Sequence, residues 1–227
     1  MCDYYGKIDN VTLTNKGETI SQSAKLSCIV LAGGKGKRMG RNKVAETIGK
    51  KSLLEHVDSS LVSFHSEIFV VVAADSIVPS LNGYPGIRIV EDIIPGKGTL
   101  GGIYTGLMLS QTIVNVVVAC DMPFINVELL KYMSGFAAEA DVIIPRTEAM
   151  TLEPLHAIYN KSCLEPIEYL LKQNRLSVLE LFPMVKVKYI AESDIIRFDP
   201  KHLSFFNINT EADLQTGRNL AEKGNSV

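Results

Sequence analysis

The chain has 227 residues, of which 46% are hydrophobic, so it is long enough to bury one substantial core and too short for two generous ones. Its formal net charge of -2 provides no overall attraction for nucleic acid or for an anionic membrane surface. No apolar run approaches the roughly 18 to 20 residues of a membrane-spanning helix, which excludes a membrane span.

Residues 1–25 are polar and lack the apolar core of a signal peptide. We therefore expect a flexible N-terminal extension at residues 1–25 and one domain over residues 26–227. The cysteines form no C-x-x-C pair, and no histidine is spaced to complete a zinc site with them. Two cysteines lie inside apolar runs, which favours a reducing, cytoplasmic location.

From residue 26 onward, short β-branched runs alternate with segments of helical periodicity, as a doubly wound sheet requires. Strands are predicted at residues 26–32, 67–74, 87–91, 114–120 and 141–145. Two of them, IFVVVAA and VNVVVAC, are apolar at consecutive positions, so we expect central strands covered on both faces. The pattern predicts a single three-layer, doubly wound α/β domain with a mostly parallel central sheet.

Helices are predicted between and after these strands. Ser52 and Glu55 have the S-x-x-E spacing of a capping box, and the apolar residues around them share one helical face, which indicates a crossover helix. Beyond residue 145 we expect a helix near 161–172, a short helical segment near 177–182 and a strand in VKVKYIAE. Thr210 reads as the N-cap of a C-terminal helix.

The loop after the first strand lies within IVLAGGKGKRMGRNK, residues 29–43. It emerges at the carboxyl edge of a parallel sheet, where ligands of open α/β folds bind. Its glycines let the backbone approach a ligand closely, and consecutive amides can point at phosphate oxygens. The loop also carries five cationic side chains, at Lys35, Lys37, Arg38, Arg41 and Lys43.

Neither common phosphate-loop template fits this loop. The pattern G-x-x-x-x-G-K-[ST] is absent, and Gly34, Gly36 and Gly40 are spaced one residue too widely for G-x-G-x-x-G. The spacing argues against a P-loop NTPase, and it weakens the case for a Rossmann dehydrogenase. The alternative that this loop is an ordinary strand-to-helix turn with solvated lysines stays open.

The segment LAGGKGKRMGRNK resembles the L-A-G-G-x-x-x-R-M-G-x-x-K signature of nucleotidyltransferases, and its Arg-Met-Gly core is most similar to molybdenum cofactor guanylyltransferases of the MobA type. The loop alone leaves sister families open, such as those acting on methylerythritol phosphate or making the cytosine form of the cofactor. Three further segments resemble the same family: VEDIIPGKGTLGGIYTGL, VVVACDMPFI, and EPLHAIY with FFNINTEADL. The resemblance extends over about residues 26–215.

The resemblance implies a Rossmann-like nucleotidyltransferase fold and a Mg²⁺-dependent activity. The reaction would transfer GMP from GTP to the terminal phosphate of molybdopterin, form the guanine dinucleotide cofactor and release pyrophosphate. It implies transient contact with other molybdenum cofactor proteins, and neither nucleic acid nor a membrane as a partner. Two alternatives stay open: a nucleotidyltransferase of the same fold such as a cytidylyltransferase, and a nucleotide-binding regulatory module without turnover.

The resemblance also implies roles for particular residues. Lys43 and Arg38 would neutralise the triphosphate and the departing pyrophosphate. Asp121, directly after a strand, would hold the metal, and Asp92 would accept from the N1–H and the exocyclic amino group of guanine. The implied nucleotide-binding residues are Leu31, Ala32, Gly33, Gly34, Lys43, Asp92, Gly101 and Asp121.

Some positions depart from the family pattern. Thr99 stands where the family usually has proline, Ala73 where it commonly has asparagine, and Asn42 where an aspartate often precedes the lysine. Of the histidines, only His156 is placed near the expected site, and a structural role is favoured because this chemistry needs no imidazole base. Two further residues, Asn207 and Asn209, either reach the acceptor phosphate or a metal-bound water, or close an edge strand.

Overall fold

The computed structural model describes residues 26–33, 45–64, 67–74, 76, 86–149 and 151–224. The expected N-terminal extension and three of the predicted site residues, Gly34, Arg38 and Lys43, lie outside these ranges. The described part begins with the first strand of the main sheet.

The front half of the domain supplies four strands of the main sheet and a small hairpin. In chain order its elements are β1 (Leu26–Leu31), β2 (Thr47–Ile48), β3 (Lys51–Ser52), α1 (Leu53–Leu61), β4 (Ile68–Val72), β5 (Ile87–Glu91), α2 (Gly98–Leu109) and β6 (Val114–Ala119). The predicted capping box is confirmed, since Ser52 Oγ accepts from the Glu55 amide at 3.2 Å and Glu55 Oε2 accepts from the Ser52 amide at 2.7 Å. This cap begins the crossover helix α1 at Leu53.

The back half supplies the remaining strands. Its elements are α3 (Val127–Ser134), β7 (Val142–Arg146), β8 (His156–Asn160), α4 (Leu164–Lys172), β9 (Val187–Ala191), α5 (Glu192–Phe198) and α6 (Glu211–Gly224). Short 3-10 segments lie at residues 62–64, 161–163, 178–184 and 203–205. The predicted helix near 161–172 therefore consists of a 3-10 turn followed by α4.

The main sheet has the strand order β5-β4-β1-β6-β8-β7-β9. Strand β8 pairs antiparallel with both neighbours, while the other described strands of this sheet share one direction. The prediction of a mostly parallel central sheet is confirmed. The antiparallel strand was not predicted, and neither was the two-stranded sheet of β2 and β3.

Side chains of the central strands alternate between two cores, one on each face of the sheet. Cys28 and Val30 of β1 face a core built with α1, α3 and α5. Ile29 of the same strand faces a core built with α2 and α4. Helices on both faces give the three layers that the sequence pattern predicts.

The segment after α5 does not form the edge strand that was one of the two alternatives for Asn207 and Asn209. Residues 203–205 form a 3-10 turn and residues 206–209 are in no strand, so Asn207 and Asn209 do not close an edge strand. The segment is instead held against β6, because the Ile208 amide donates to the Asp121 carbonyl at 2.9 Å.

Candidate functional site

The carboxyl ends of β1 and β6 lie side by side. Leu31 is in register with Ala119, and the Cys120 amide donates to the Leu31 carbonyl at 3.1 Å. On its other side the strand end is held by β4, whose Val71 carbonyl accepts from the Ala32 amide at 2.8 Å. The predicted nucleotide-binding residues that follow β1 and the predicted metal ligand that follows β6 therefore leave neighbouring strands at one edge of the sheet.

Asp121 lies in a tight turn directly after β6. The Met122 amide donates to the Ala119 carbonyl at 3.3 Å, and the Asp121 carbonyl accepts from Ile208. These bonds fix the backbone on both sides of the aspartate, whose side chain is half-buried. The turn therefore holds one carboxylate at the sheet edge beside the carboxyl end of β1.

A Mg²⁺ ion is compatible with this arrangement. Mg²⁺ in phosphate-transfer sites is held by one or two carboxylates together with substrate phosphates and water, rather than by an all-protein cage. Within the described ranges, no group of three or more His, Cys, Asp or Glu side chains could hold a metal. Asp121 thus suits a metal ion shared with a bound triphosphate.

Asp92 follows β5 and is fixed by its own loop. Its amide donates to the Val72 carbonyl at 2.8 Å, and Oδ1 accepts from the Ile94 amide at 3.0 Å and from the Thr105 hydroxyl at 2.7 Å. Thr105 is fully buried on α2 and also accepts from the Ile93 amide at 3.2 Å. Oδ1 thus uses both its lone pairs within the protein, whereas Oδ2 has no hydrogen-bond partner in the described part of the chain.

Glycines allow close packing around this edge. A Cβ added at Gly101 would meet the Lys97 Cβ at 2.8 Å and would lie 3.5 Å from Asp92 Oδ2. One added at Gly33 would lie 3.3 Å from the Ala73 amide nitrogen. The first turn of α2 and the start of the β1 loop are both packed against neighbouring backbone, so the predicted binding residues there have little room for a side chain.

Asp92 and Asp121 do not meet. Strands β5 and β6 are separated by β4 and β1, so three inter-strand spacings of about 4.8 Å place the two strand ends roughly 14 Å apart. Two carboxylates at this separation cannot share one metal ion. They lie on either side of the carboxyl ends of β4 and β1, and we call this part of the sheet edge the Asp92–Asp121 edge.

His156 is not exposed at this edge of the sheet. Its side chain is fully buried at the start of β8 and packs edge-to-face on Phe205, with 5.3 Å between ring centroids. Burial lowers the pKa of His156 to about 4, and the negative charge of Asp199 opposes that shift. A side chain without exposed surface cannot take a proton from a substrate at this edge.

Two contacts that support the site were not predicted from the sequence, although the segment FFNINT itself was named as a candidate. Thr105 anchors Asp92, and the segment 206–208 supports the Asp121 turn. Thr105 could have been found because it lies four residues after Gly101 and so shares a helical face with it. The contact of Ile208 with Asp121 joins residues far apart in the chain, and no local pattern indicates it.

None of the described helices combines the length and the hydropathy that crossing a bilayer requires.

Comparison with known proteins places the Asp92–Asp121 edge inside a known family of domains. A family model described as a MobA-like NTP transferase domain matches residues 28–183. The match begins in β1 and ends in the 3-10 segment 178–184, so it includes the carboxyl ends of β1, β5 and β6.

Individual relatives are similar over most of the chain. A probable molybdenum cofactor guanylyltransferase of Pelotomaculum thermopropionicum is 35% identical over 195 residues, which cover 86% of this chain and 92% of that protein. One of Methanosarcina mazei is 38% identical over 197 residues, covering 83% and 88%. The crystal structure of molybdopterin-guanine dinucleotide biosynthesis protein A from Archaeoglobus fulgidus superposes with a TM-score of 0.75 at 29% identity, covering 87% of this chain and 99% of that one.

Proposed function

Because this chain belongs to the family of MobA-like NTP transferase domains, we propose that it transfers GMP from GTP to the terminal phosphate of molybdopterin and releases pyrophosphate. The product is the guanine dinucleotide form of the molybdenum cofactor. The similar proteins of P. thermopropionicum and M. mazei are named for this guanylyl transfer.

The observation that carries the proposal is the order of groups along the Asp92–Asp121 edge. The backbone of Ala32 and Gly33 follows β1 between them, and one carboxylate lies toward each end. One end suits a base with hydrogen-bond donors, and the other suits metal-bound phosphates. A nucleoside triphosphate has these two chemical ends.

Guanine recognition is assigned to Asp92. Since Oδ1 is occupied by Ile94 and Thr105, both guanine donors would be accepted by Oδ2, which carries two lone pairs. Cytosine presents a different edge, with an acceptor at N3, and would find no donor on this carboxylate. The assignment supports guanylyl over cytidylyl transfer.

The transfer itself needs no nucleophilic side chain. An oxygen of the acceptor's terminal phosphate attacks the α-phosphorus of GTP, the bond from that phosphorus to the oxygen bridging the β-phosphate breaks, and pyrophosphate leaves with the bonding electrons. Because two anions approach each other, the protein's main task is to neutralise charge and to hold the groups in line.

Several groups of this chain would do that work. The backbone at Ala32 and Gly33 would lie along the triphosphate, and Lys43 and Arg38, outside the described residues, are proposed to balance its charge. Asp121 would hold Mg²⁺, which when bound supplies Lewis-acid stabilisation of the phosphate oxygens. Lys43, Arg38 and Asp121 are therefore the proposed catalytic residues.

A reducing compartment suits the protein's thiols. Cys28 and Cys163 are buried, and burial raises the pKa of each thiol to about 12, so both are held as unreactive thiols. We propose that the reaction takes place in the cytoplasm.

Pyrophosphate release tests the proposed function. Purified protein is supplied with Mg²⁺ and with each nucleoside triphosphate in turn, with and without molybdopterin. We expect release only with GTP and only when molybdopterin is present. Release with CTP instead would favour the cytidylyltransferase, and GTP binding without release under any condition would favour the regulatory module.

A further inference from the structure

A cavity lies at the same edge of the sheet as Asp121, on the side of β8 and β7. It has a volume of about 490 Å³, within the range of small-molecule sites, and lies between the loop joining β7 to β8, the start of α5 and the 3-10 segment 203–205. Its lining includes Glu148, Glu153, Glu192, Phe205 and Phe206. None of these residues is among those proposed above to bind GTP or Mg²⁺.

The cavity is joined to the Asp121 turn by a short stretch of chain. Phe206 lines the cavity, and two residues later the Ile208 amide donates to the Asp121 carbonyl. Two residues span at most about 7 Å. The Phe206 ring also packs against Phe124, with 6.1 Å between centroids, three residues after Asp121. A ligand in the cavity therefore lies next to the point where phosphates would meet.

The cavity and Asp92 lie on opposite sides of that point. In the sheet order β5-β4-β1-β6-β8-β7-β9, Asp92 follows β5, Asp121 follows β6, and the cavity lies beyond them at the ends of β7 and β8. With guanosine on the β5 side, the acceptor approaches from the β8 side. The cavity is then in position for the acceptor's ring system.

The charges of the lining suit a ring with N–H donors, not a phosphate. Three carboxylates line the cavity, against one lysine, Lys201, and one histidine, His202. Phe205 is half-buried in the lining, with its ring centroid 5.3 Å from that of His156 and 6.0 Å from that of His202. Stacking on such a ring favours a flat heterocycle.

Among the three carboxylates, Glu153 is the best placed to accept hydrogen bonds from a ligand. Glu192 is engaged, because Oε2 accepts from the Glu148 amide at 3.2 Å and Oε1 lies 2.7 Å from Nε2 of His202. Glu148 is exposed at the rim. Glu153 is half-buried, burial raises its pKa, and its carboxylate has no hydrogen bond or ion pair within the described ranges.

The wall behind Phe205 also contains an unsatisfied polar group. His156 is fully buried there, and neither of its ring nitrogens has a hydrogen-bond partner in the part of the chain that the structure describes. Because His156 has no exposed surface, an ordered water would satisfy its ring nitrogens, and it would not contact a ligand in the cavity directly.

We propose that this cavity binds the pterin ring of the acceptor and that Glu153 accepts hydrogen bonds from its ring N–H and its 2-amino group. A 2-amino-4-oxo pyrimidine edge presents these two donors side by side, and one carboxylate accepts both. This inference rests on the proposed function for the identity of the acceptor. Glu153 is a specificity residue and takes no part in the transfer.

A binding measurement tests the inference without turnover. Full-length protein is titrated with 6-hydroxymethylpterin and with 6-hydroxymethyllumazine, which has a carbonyl in place of the 2-amino group, and ring fluorescence is followed. We expect the native protein to prefer the pterin by about tenfold or more, as loss of a charge-assisted hydrogen bond implies. Glu153→Gln should abolish this preference. The matched control Glu165→Gln, on an exposed position of α4, should keep it.

A second arm separates the cavity from the guanine site, because guanine has the same donor edge as a pterin. Glu153→Gln should raise the KM for molybdopterin by about tenfold or more and leave the affinity for GTP unchanged. If Glu153→Gln weakened GTP and not the pterin, the cavity would hold guanine and the inference would be overturned.

The inference and the proposed function can fail separately. If the native protein shows no preference for pterin over lumazine, or if Glu153→Gln keeps the preference and the KM, the cavity is not a pterin site, whatever the turnover. If native protein transfers no GMP yet loses its pterin preference in Glu153→Gln, the proposed function fails and the pterin site stands.

Discussion

Asp92 illustrates how one carboxylate serves the fold and a ligand at once. Oδ1 closes its own loop through the Ile94 amide and the Thr105 hydroxyl, so the carboxylate cannot rotate without losing two hydrogen bonds. Oδ2 is thereby held in one position. A base read by Oδ2 meets an acceptor that needs no reorganisation on binding, which favours specificity.

Asp92→Asn should weaken GTP binding more than binding of inosine triphosphate. The amide nitrogen of asparagine would replace Oδ2 and face the donors of guanine, and the inosine base lacks the exocyclic amino group. We expect a difference of about 1 to 3 kcal/mol, measured by calorimetric titration. Glu91→Gln, an exposed carboxylate one residue earlier, is the control and should change neither affinity. Equal losses for the two nucleotides would make Asp92 a loop residue only.

Thr105→Val should weaken GTP binding through Asp92 without contacting the nucleotide. Valine keeps the shape of threonine and removes a buried hydroxyl that bonds both Asp92 and the Ile93 amide, at a cost to stability of about 1 to 3 kcal/mol. Thr105→Ser keeps the hydroxyl and should restore the discrimination between GTP and inosine triphosphate. If Thr105→Val kept that discrimination in full, the hydroxyl would have no part in positioning Asp92.

At the scale of elements, the approach of α2 to β1 depends on glycines. A Cβ added at Gly106 would lie 2.4 Å from Cγ2 of Ile29, and one added at Gly102 would lie 3.2 Å from Cδ2 of Leu31. Ile29 is fully buried and β-branched, so it has no free rotamer to move to. Gly106 thus fixes the separation of α2 from the sheet.

Gly106→Ala should destabilise the protein by about 1 to 3 kcal/mol in urea unfolding, as overpacking does. Gly102→Ala should cost less, because the end of the Leu31 side chain can shift. The double variant Gly106→Ala with Ile29→Ala should lose less free energy of unfolding than the two single variants lose together, since the second change makes room for the first. Strict additivity would mean that the two residues are not in contact.

The same elements show how far sequence reasoning reaches. The central strands and α1 could be predicted because burial on both faces leaves consecutive apolar residues, and because the capping box of Ser52 and Glu55 is local. Strand β8 could not, since a strand reached by a short loop from β7 runs antiparallel and carries no crossover signal. The order of the strands decides that Asp92 and Asp121 lie apart, and order is a tertiary property.

The candidate site could likewise be predicted from the sequence only in part. The residues after β1 and β6 could be placed at one edge from the parallel pattern alone. The occupation of Oδ1 of Asp92 and the cavity beside Phe206 could not, because both depend on contacts between distant segments. Long-range contacts decide which oxygen and which surface are left for a ligand.

At the scale of the whole molecule, two buried titratable groups give opposite contributions to the pH dependence of stability. Asp58 is fully buried in α1 with neither carboxylate oxygen paired within the described residues, and burial, aided by Glu55, raises its pKa from 3.8 to about 7. Folded protein keeps this proton up to about pH 7, so Asp58 lowers stability as pH rises from about 4 to 7. His156, with its pKa lowered from 6.5 to about 4, lowers stability as pH falls from 6.5 to 4.

Asp58→Asn should therefore change the pH dependence of unfolding. Asparagine stays neutral, so the variant should gain about 3 kcal/mol relative to the native protein between pH 5 and pH 8. With Asp58 removed, the contribution of His156 is no longer opposed, and stability of the variant should rise with pH between 4 and 6.5. Urea unfolding at pH 4, 5, 6.5 and 8 measures both. The same pH slope in variant and native protein would show that Asp58 is not a protonated, buried group.

The central claim is that the protein transfers GMP at the Asp92–Asp121 edge, with Asp121 at the reacting end. The most direct measurement follows the label from GTP carrying ³²P at the α-phosphate into the molybdopterin product, with native protein and Asp121→Asn, while GTP affinity is titrated in parallel. We predict labelled dinucleotide from native protein, a rate at least about a hundredfold lower in the variant, and a much smaller change in GTP affinity. Transfer by Asp121→Asn at close to the native rate, or no label in the product with native protein, would contradict the account.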